Sequence, residues 1–327
     1  MELTTAQLDR ARGVLLATAA GDALGAGYEF GPPLRDDAPV TMTGGGAFGW
    51  EPGEWTDDTS MAIAIAEVAA TGTDLRSGEA QDRVVARWAG WAREAPDVGS
   101  QTRQVLQAAP NGTAAEARAA SAGLHQRTGH TAGNGSLMRT APVALAYLDD
   151  PDGLTEAAAA LSALTHHDPE AGEACVLWCH AIRHAVLTGE LDARAGLAPL
   201  RNGSRRVWAQ RLDEAERARP RDYPRNGWVV EALQAAWSAI AVTPVPPGGR
   251  AARGGHLRLA LESAVRGGRD ADTVAAIAGG LLGAAWGASA VPEPWRRALH
   301  GWPGLGAGDL IALAAAIAAA SAAARPR

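Results

Sequence analysis

No stretch of this chain alternates apolar and polar residues between hairpin turns, while apolar residues recur at spacings of three and four along most of its length. That pattern argues against a sheet-built core and predicts helices. The segment TTAQLDRARGVLLATAAG opens on threonine caps and reaches Gly21, where a helix is expected to stop. TSMAIAIAEVAATG follows a capping cluster, and QDRVVARWAGWAREA carries a helical apolar stripe. In GSLMRTAPVALAYL, Pro142 fits a first turn or a kink. DPEAGEACVLWCHAIRHAVLTG has Asp168 as cap, Pro169 in the first turn and Gly189 at the end. Further helices are expected over about 226–240, 254–265, 273–287 and 309–324. Long connections are expected at about 29–55, 191–206, 220–225 and 242–254; the first, rich in Gly and Pro, is long enough to suggest a functional role. No compositional break and no solenoid repeat divides the chain, so one all-α domain over residues 1–327 is the expectation.

The formal charge of −6 argues against general nucleic-acid binding, which needs a basic face. All 30 basic residues are arginines, which excludes a Schiff-base lysine and a P-loop lysine together. Cys175 and Cys179 stand one helical turn apart and cannot form a disulfide framework, so a reducing, cytoplasmic setting is expected. The opening MELTTAQLDR lacks the basic start of a signal peptide. The longest apolar run, LIALAAAIAAASAAA, is too short to span a bilayer, so no membrane association is expected. A monomer is the expected state.

Two acidic clusters carry the chemistry. Thr56, Asp57, Asp58 and Thr59 precede one apolar helix; Asp270, Asp272 and Thr273 precede another. One Asp or Thr at a helix start satisfies unpaired N–H groups and the positive dipole end. Further carboxylates exceed that need, and buried together they repel. A hard divalent cation, Mg²⁺ or Mn²⁺, would resolve the conflict, and four aspartates with their threonines would suffice for two adjacent ions sharing a carboxylate. Two unrelated, exposed caps are the alternative, and sequence separation does not choose between them.

The segments GVLLATAAGDALGAGYEF, GEWTDDTSMAIAIAE, GNGSLMRTAPVALAY, LTHHDPEAGEACVLWCHAI and GGRDADTVAAIAGGLLGAAWG occur in that order. Together they resemble the ADP-ribosylglycohydrolase family, over roughly residues 10–290. The resemblance implies an all-α domain with a cleft holding two Mg²⁺ or Mn²⁺ ions, and hydrolysis of the bond between C1″ of ADP-ribose and an acceptor, with ADP-ribosylarginine the first expectation. It implies that Thr56, Asp57 and Asp58 serve one ion, that Asp270, Asp272 and Thr273 serve the other, and that Asp272 bridges. Glu29 matches a family glutamate near the metals, and Asp97, in APDVGSQT, an acid of the arginine-directed branch; these two are the catalytic candidates. By the same matching, Gly99 and Ser100, the loop Gly133, Asn134, Gly135 and Ser136, and His166 are expected on the ADP-ribose. Where some relatives place an aromatic residue to stack on adenine, this chain has Ala132.

Other readings follow from other residues. His167–Asp168 suggests an HD-type metal phosphohydrolase, but suitably spaced further histidines are missing. A non-catalytic ADP-ribose-binding protein of the same fold would be expected only if a metal ligand were lost, and none is. His180 and His184 share a helix face without the glutamate of a zinc-protease motif. Trp88, Trp91, Trp178, Trp237 and Trp286 are expected in the core; Trp50 and Trp55 either line the cleft or anchor the first long loop. Arg139 is expected in a salt bridge or on the ligand, and RARPRDYPR as a solvated loop.

Overall fold

The computed structural model describes residues 2–323. Its helices are α1 Thr5–Gly25, α2 Asp57–Ala69, α3 Gly78–Trp91, α4 Ser100–Gln107, α5 Ala114–Thr128, α6 Ala141–Ala146 and α7 Pro151–Ala163, then α8 Pro169–Thr188, α9 Asn202–Ala215, α10 Val229–Ala241, α11 Arg250–Arg266, α12 Ala271–Trp286, α13 Glu293–Ala298 and α14 Ala307–Ala323. A two-residue hairpin, β1 His300–Gly301 with β2 Leu305–Gly306, is the only sheet among the described residues. The all-α expectation holds. The terminal helix expected over 309–324 is α14, and position 324 lies outside the described residues.

Helix α1 is the axis of the molecule. It starts at Thr4, whose hydroxyl accepts the Gln7 N–H at 3.3 Å while the Gln7 side chain accepts the Thr4 N–H at 2.9 Å. From Gly13 to Gly25 every residue is buried, as befits a helix apolar on all sides. It packs against α12, α14, α8, α2 and α6. The stop expected at Gly21 does not occur; α1 continues for another turn. Gly21 is there for contact instead. A Cβ at Gly21 would overlap the Ala275 carbonyl of α12, and one at Gly25 would overlap the Asp272 backbone. The two helices therefore meet backbone to backbone, and Asp22 of α1 comes to lie beside Asp272 of α12.

The tryptophans expected in the core are mostly there. Trp88 and Trp178 are fully buried, with their indole N–H groups on the Met61 carbonyl at 3.1 Å and the Ile277 carbonyl at 3.0 Å. Trp55 anchors the first long loop, donating to the Trp302 carbonyl at 3.1 Å, whereas Trp50 meets Phe48 with the rings tilted at 55°. Asp168 caps α8 through the Glu170 N–H, Pro169 occupies its first turn, and Gly189 closes it at φ 80°. Pro142 lies in the first turn of α6. Helix α9 covers residues 202–206, expected in a loop; its buried stripe is only Trp208, Leu212 and Ala215, set among charged residues that mask the period. Around RARPRDYPR, Arg219 and Arg221 pair with Asp36 at the surface, as a solvated loop would. None of the described helices is long and apolar enough to cross a membrane.

The α1–α12 contact is testable by adding one methyl group. Gly21→Ala should destabilise the protein by about 1–3 kcal/mol through overpacking. Gly172→Ala, in α8 where an added Cβ meets nothing within 4 Å, should be neutral or slightly stabilising. Urea denaturation of the two variants checks this; equal stabilities would show that the helices are not in backbone contact.

Candidate metal centre and ligand cleft

The cleft is assembled from the end of α1 and the starts of α2 and α12. Asp22 caps α2 from outside: its carboxylate accepts the Thr56 N–H at 3.0 Å, the Thr59 N–H at 3.0 Å and the Thr59 hydroxyl at 2.6 Å. Relieved of capping, Thr56 donates its hydroxyl to Asp58 at 3.1 Å. Oxygens of Asp22, Asp58 and Asp272 lie within 4.8 Å of one another, and so do those of Glu29, Asp270 and Asp272. Asp272 is common to both groups. The two acidic clusters, far apart in sequence, therefore meet.

Packing so many carboxylates together is costly while they are charged. Burial pushes Asp22 up from 3.8 to about 6, against the pull of its hydrogen bonds. Burial and then the neighbouring acids push Asp58 and Asp272 well above the carboxylate range. Burial, followed by Asp270, Asp97 and Asp22, lifts Glu29 to about 8. One oxygen of Asp58 and one of Asp272 are buried without any hydrogen-bond partner. Buried polar atoms are rarely left so. Hard anionic oxygens, two of them unpartnered, fit a divalent cation.

Beside this cluster opens a cavity of about 520 Å³. Glu29, Asp57, Asp270 and Thr273 line its acidic side, whereas Thr56, Asp58 and Asp272 lie buried behind. Asp57 stands outside both carboxylate groups and is raised chiefly by burial and then by Asp97. Asp97, which also lines the cavity, accepts the Asp57 backbone N–H at 2.8 Å, and burial lifts it from 3.8 to about 6. Gly99 and Ser100, where α4 begins, adjoin it.

The Gly133–Asn134–Gly135 loop lines the cavity as well. It is held to the start of α10 by Asn134 N–H on the Gly227 carbonyl at 3.1 Å and Val229 N–H on the Ala132 carbonyl at 2.9 Å. The Asn134 side chain donates to Asp270 at 2.7 Å and to the Asn226 carbonyl at 2.9 Å, tying the loop to the acidic cluster. His166 lies under the loop, its Nε2–Cε1 edge against Gly133 and Gly135. Burial and the nearby Arg139 hold it well below its usual range, so it is neutral. Arg139 donates to the Thr165 hydroxyl at 2.6 Å, and that hydroxyl meets His166 Nδ1 at 2.7 Å. With arginine as donor, the threonine proton is free to go to Nδ1, an arrangement that suits the tautomer with its proton on Nε2.

Two expectations need correction, and the alternative HD reading falls. Ser136 is turned into the core, where its hydroxyl accepts from Ser162 at 2.9 Å and Cys175 lies at 3.5 Å, so its side chain is not on the cleft. Arg139 neither pairs with a carboxylate nor reaches the cleft; it is fully buried, 3.9 Å over the Trp88 ring. The HD reading fails because His167 is exposed and Asp168 is spent as a helix cap. His180 meets Thr155 at 2.9 Å and His184 meets Glu190 at 3.5 Å, so neither joins a metal-type group.

Several residues were missed by sequence reasoning. Asp22 sits inside GDALGAGYE, and its signal was the one charged residue in the buried second half of α1, Gly13–Gly25. Asn226 donates to the Gly268 carbonyl at 3.0 Å and accepts the Asp270 N–H at 3.3 Å, fixing the turn before α12. Trp228 lines a second cavity, of about 540 Å³, which shares Gln101, Gly133 and Gly227 with the first. Phe30 and Phe48 line the mouth of the first cavity, with Phe30 at φ 61°, a backbone state costing of order 1 kcal/mol for such a residue.

A helical body with a carboxylate cluster at the foot of such a cleft defines a class, and the comparisons agree on which. The ADP-ribosylglycohydrolase family model matches residues 3–327, and the chain belongs to that family. ADP-ribosylarginine hydrolase Tri1 of Pseudomonas putida strain GB-1 is 33% identical over 299 residues, 88% of this chain and 73% of that protein. ADP-ribosyl-[dinitrogen reductase] glycohydrolase of Rhodospirillum rubrum is 29% identical over 300 residues, covering 88% and 89% of the two chains. A solved structure of an ADP-ribosylglycohydrolase-related protein complex superposes with a TM-score of 0.72 at 32% identity, over 97% of this chain and 100% of that one.

The shifted carboxylates make stability depend on pH. A group whose folded value lies above its unfolded value binds protons more tightly when folded, so its stabilisation fades as pH rises through the folded value. For Asp22 and Asp97 the loss runs from the ordinary 3.8 to about 6, and for Glu29 from 4.5 to about 8, so together the window spans about pH 4 to about pH 8. The melting temperature of chelator-treated protein should fall across it, and saturating Mg²⁺ or Mn²⁺ should flatten the fall. A chelated protein with a constant or rising melting temperature there would contradict the clustering.

Proposed function

We propose that this protein is a divalent-cation-dependent hydrolase that cleaves the bond joining C1″ of ADP-ribose to an acceptor nitrogen, with ADP-ribosylarginine as substrate. The observation that carries the reading is the convergence of α1, α2 and α12 carboxylates, two with unpartnered oxygens, at the foot of a cleft walled by close-approach glycines and a neutral histidine. Two relatives named as ADP-ribosylarginine hydrolases and one named for ADP-ribosyl-dinitrogen reductase support the substrate class. The complete carboxylate set speaks against a purely binding role.

Thr56, Asp57, Asp58, Asp270, Asp272 and Thr273, with Asp22 and Glu29 beside them, are the residues that would hold two ions, Mg²⁺ or Mn²⁺. When bound, such ions supply charge neutralisation and Lewis acidity at the floor of the cleft. The rest is protein chemistry. Cleavage breaks the C1″–N bond, adds a water oxygen to C1″ and returns a proton to the departing guanidine, through an oxocarbenium-like state. Asp97 faces the cleft with one oxygen held by the Asp57 N–H, near neutrality in its proton affinity, which suits a group that takes a proton and gives it back. His166 offers an Nε2–H donor to the ligand, and Gly133 and Gly135 let the chain approach it closely. The two joined cavities accommodate a ligand with two ends; Trp228 in the second supplies the flat surface for adenine that Ala132 does not.

Incubation with ADP-ribosylarginine and with other ADP-ribosylated acceptors, read by mass spectrometry, tests the substrate. Asp97→Ala should lower turnover roughly a hundredfold or more while ADP-ribose affinity stays within about tenfold. Full turnover by that variant would move the proton-transfer role to Glu29, and no release of arginine by the wild type would refute the reading.

A further inference from the structure

The chain has only two phenylalanines, and both are exposed on the rim of the acidic cavity. Phe30 is 66% exposed and Phe48 37%. Their rings meet edge to face, with centroids 6.3 Å apart, and Phe48 leans on Trp50 at 5.9 Å. Neither contributes to the core, so burial does not account for them.

Their placement is imposed by the backbone. Phe30 is held at φ 61°, in the left-handed region, by its N–H on the Arg269 carbonyl at 2.6 Å and by the Arg269 N–H on the Gly31 carbonyl at 2.7 Å. Glycine would occupy that position without strain. Phe48 sits at the tip of a turn closed by reciprocal bonds between Gly45 and Trp50, at 2.7 and 2.9 Å. A strained backbone position and a hydrogen-bonded turn thus place two exposed rings on the lining of the same opening.

The chemistry of the opening is aromatic and acidic. Glu29 directly precedes Phe30, and Asp97, which belongs to neither carboxylate group, lines the same cavity. Arg103 also lines it, with Nη2 engaged by the Val98 carbonyl at 3.2 Å. Ring faces beside carboxylates suit a planar cation on an apolar stem, which describes an arginine side chain; a hydroxyl acceptor has neither part.

We propose that Phe30 and Phe48 form the acceptor subsite, gripping the arginine side chain whose guanidine leaves C1″, and so set the acceptor preference. The proposal rests on the hydrolase reading above. The rings contact the leaving side chain, while ADP-ribose is bound by the glycine loop, His166 and the acidic floor.

Three variants, Phe30→Gly, Phe48→Ala and Phe30→Leu, separate this role from others. kcat/KM for an ADP-ribosylarginine peptide should fall about tenfold or more in the first two, mainly through KM, and less in Phe30→Leu, which keeps an apolar surface without a ring. The affinity for free ADP-ribose, measured by calorimetry with Mg²⁺ or Mn²⁺ present, should stay within about twofold. Phe30→Gly should melt at or above the wild-type temperature, since glycine relieves the strain. Unchanged kcat/KM in an active enzyme would overturn the subsite alone. A parallel loss of ADP-ribose affinity would assign the rings to the ADP-ribose moiety, and a melting temperature well below wild type would make them structural; either result overturns the proposal. A wild type that binds ADP-ribose but releases no arginine would refute the underlying reading instead.

Discussion

The close approach of α1 and α12 is the contact on which the rest depends. Side chains on two packed helices ordinarily keep their axes 8–10 Å apart. Here glycines remove the side chains at the contact, so the backbones touch and residues beside the glycines are forced together. Asp22 follows Gly21, and Asp272 lies against Gly25. An acid from each helix is thereby carried into a dry interior that neither would choose alone. The apolar contact drives the packing, and the carboxylates are brought along with it.

That arrangement explains why the capping pattern looked excessive in sequence. Asp58 does not cap α2, because Asp22 does so from another helix and leaves Asp58 with an unpartnered oxygen. Asp270 is held at the start of α12 by Asn134 and Asn226 side chains from the cleft wall. The surplus acids are positioned by neighbours rather than by their own helix ends. The same positioning by neighbours appears at His166, where a fully buried arginine holds the threonine hydroxyl that meets the imidazole Nδ1.

Helix α8 was legible in sequence, its Asp168, Pro169 and Gly189 falling where capping chemistry puts them, but α7, with the same Asp–Pro start at Asp150 and Pro151, and α5, capped by Thr113, lay where no helix was expected. Gly21 misled because glycine both ends helices and admits close neighbours, and only the partner helix tells these uses apart. Helix α9 was obscured because its stripe is three residues in a charged segment. In the cleft, the two acidic clusters were visible as an excess over what capping requires, yet their meeting was not, since it is a property of the packing. Asp22, Asn226 and Trp228 were hidden for the same reason: each acts across a long sequence separation on an element that local patterns do not name. Ser136 shows the converse, a residue inside a matching motif whose side chain serves the core.

Carboxylates of Asp22, Asp58 and Asp272, from three helices, converge at the floor of the ligand cleft, where the proposed function puts its cations. Anomalous diffraction from crystals grown with Mn²⁺ tests it most directly. Anomalous density is expected within the shell of Asp22, Asp58 and Asp272 or that of Glu29, Asp270 and Asp272, and should disappear in an Asp272→Asn crystal. Manganese bound only elsewhere on the protein, or density undiminished in that variant, would contradict it.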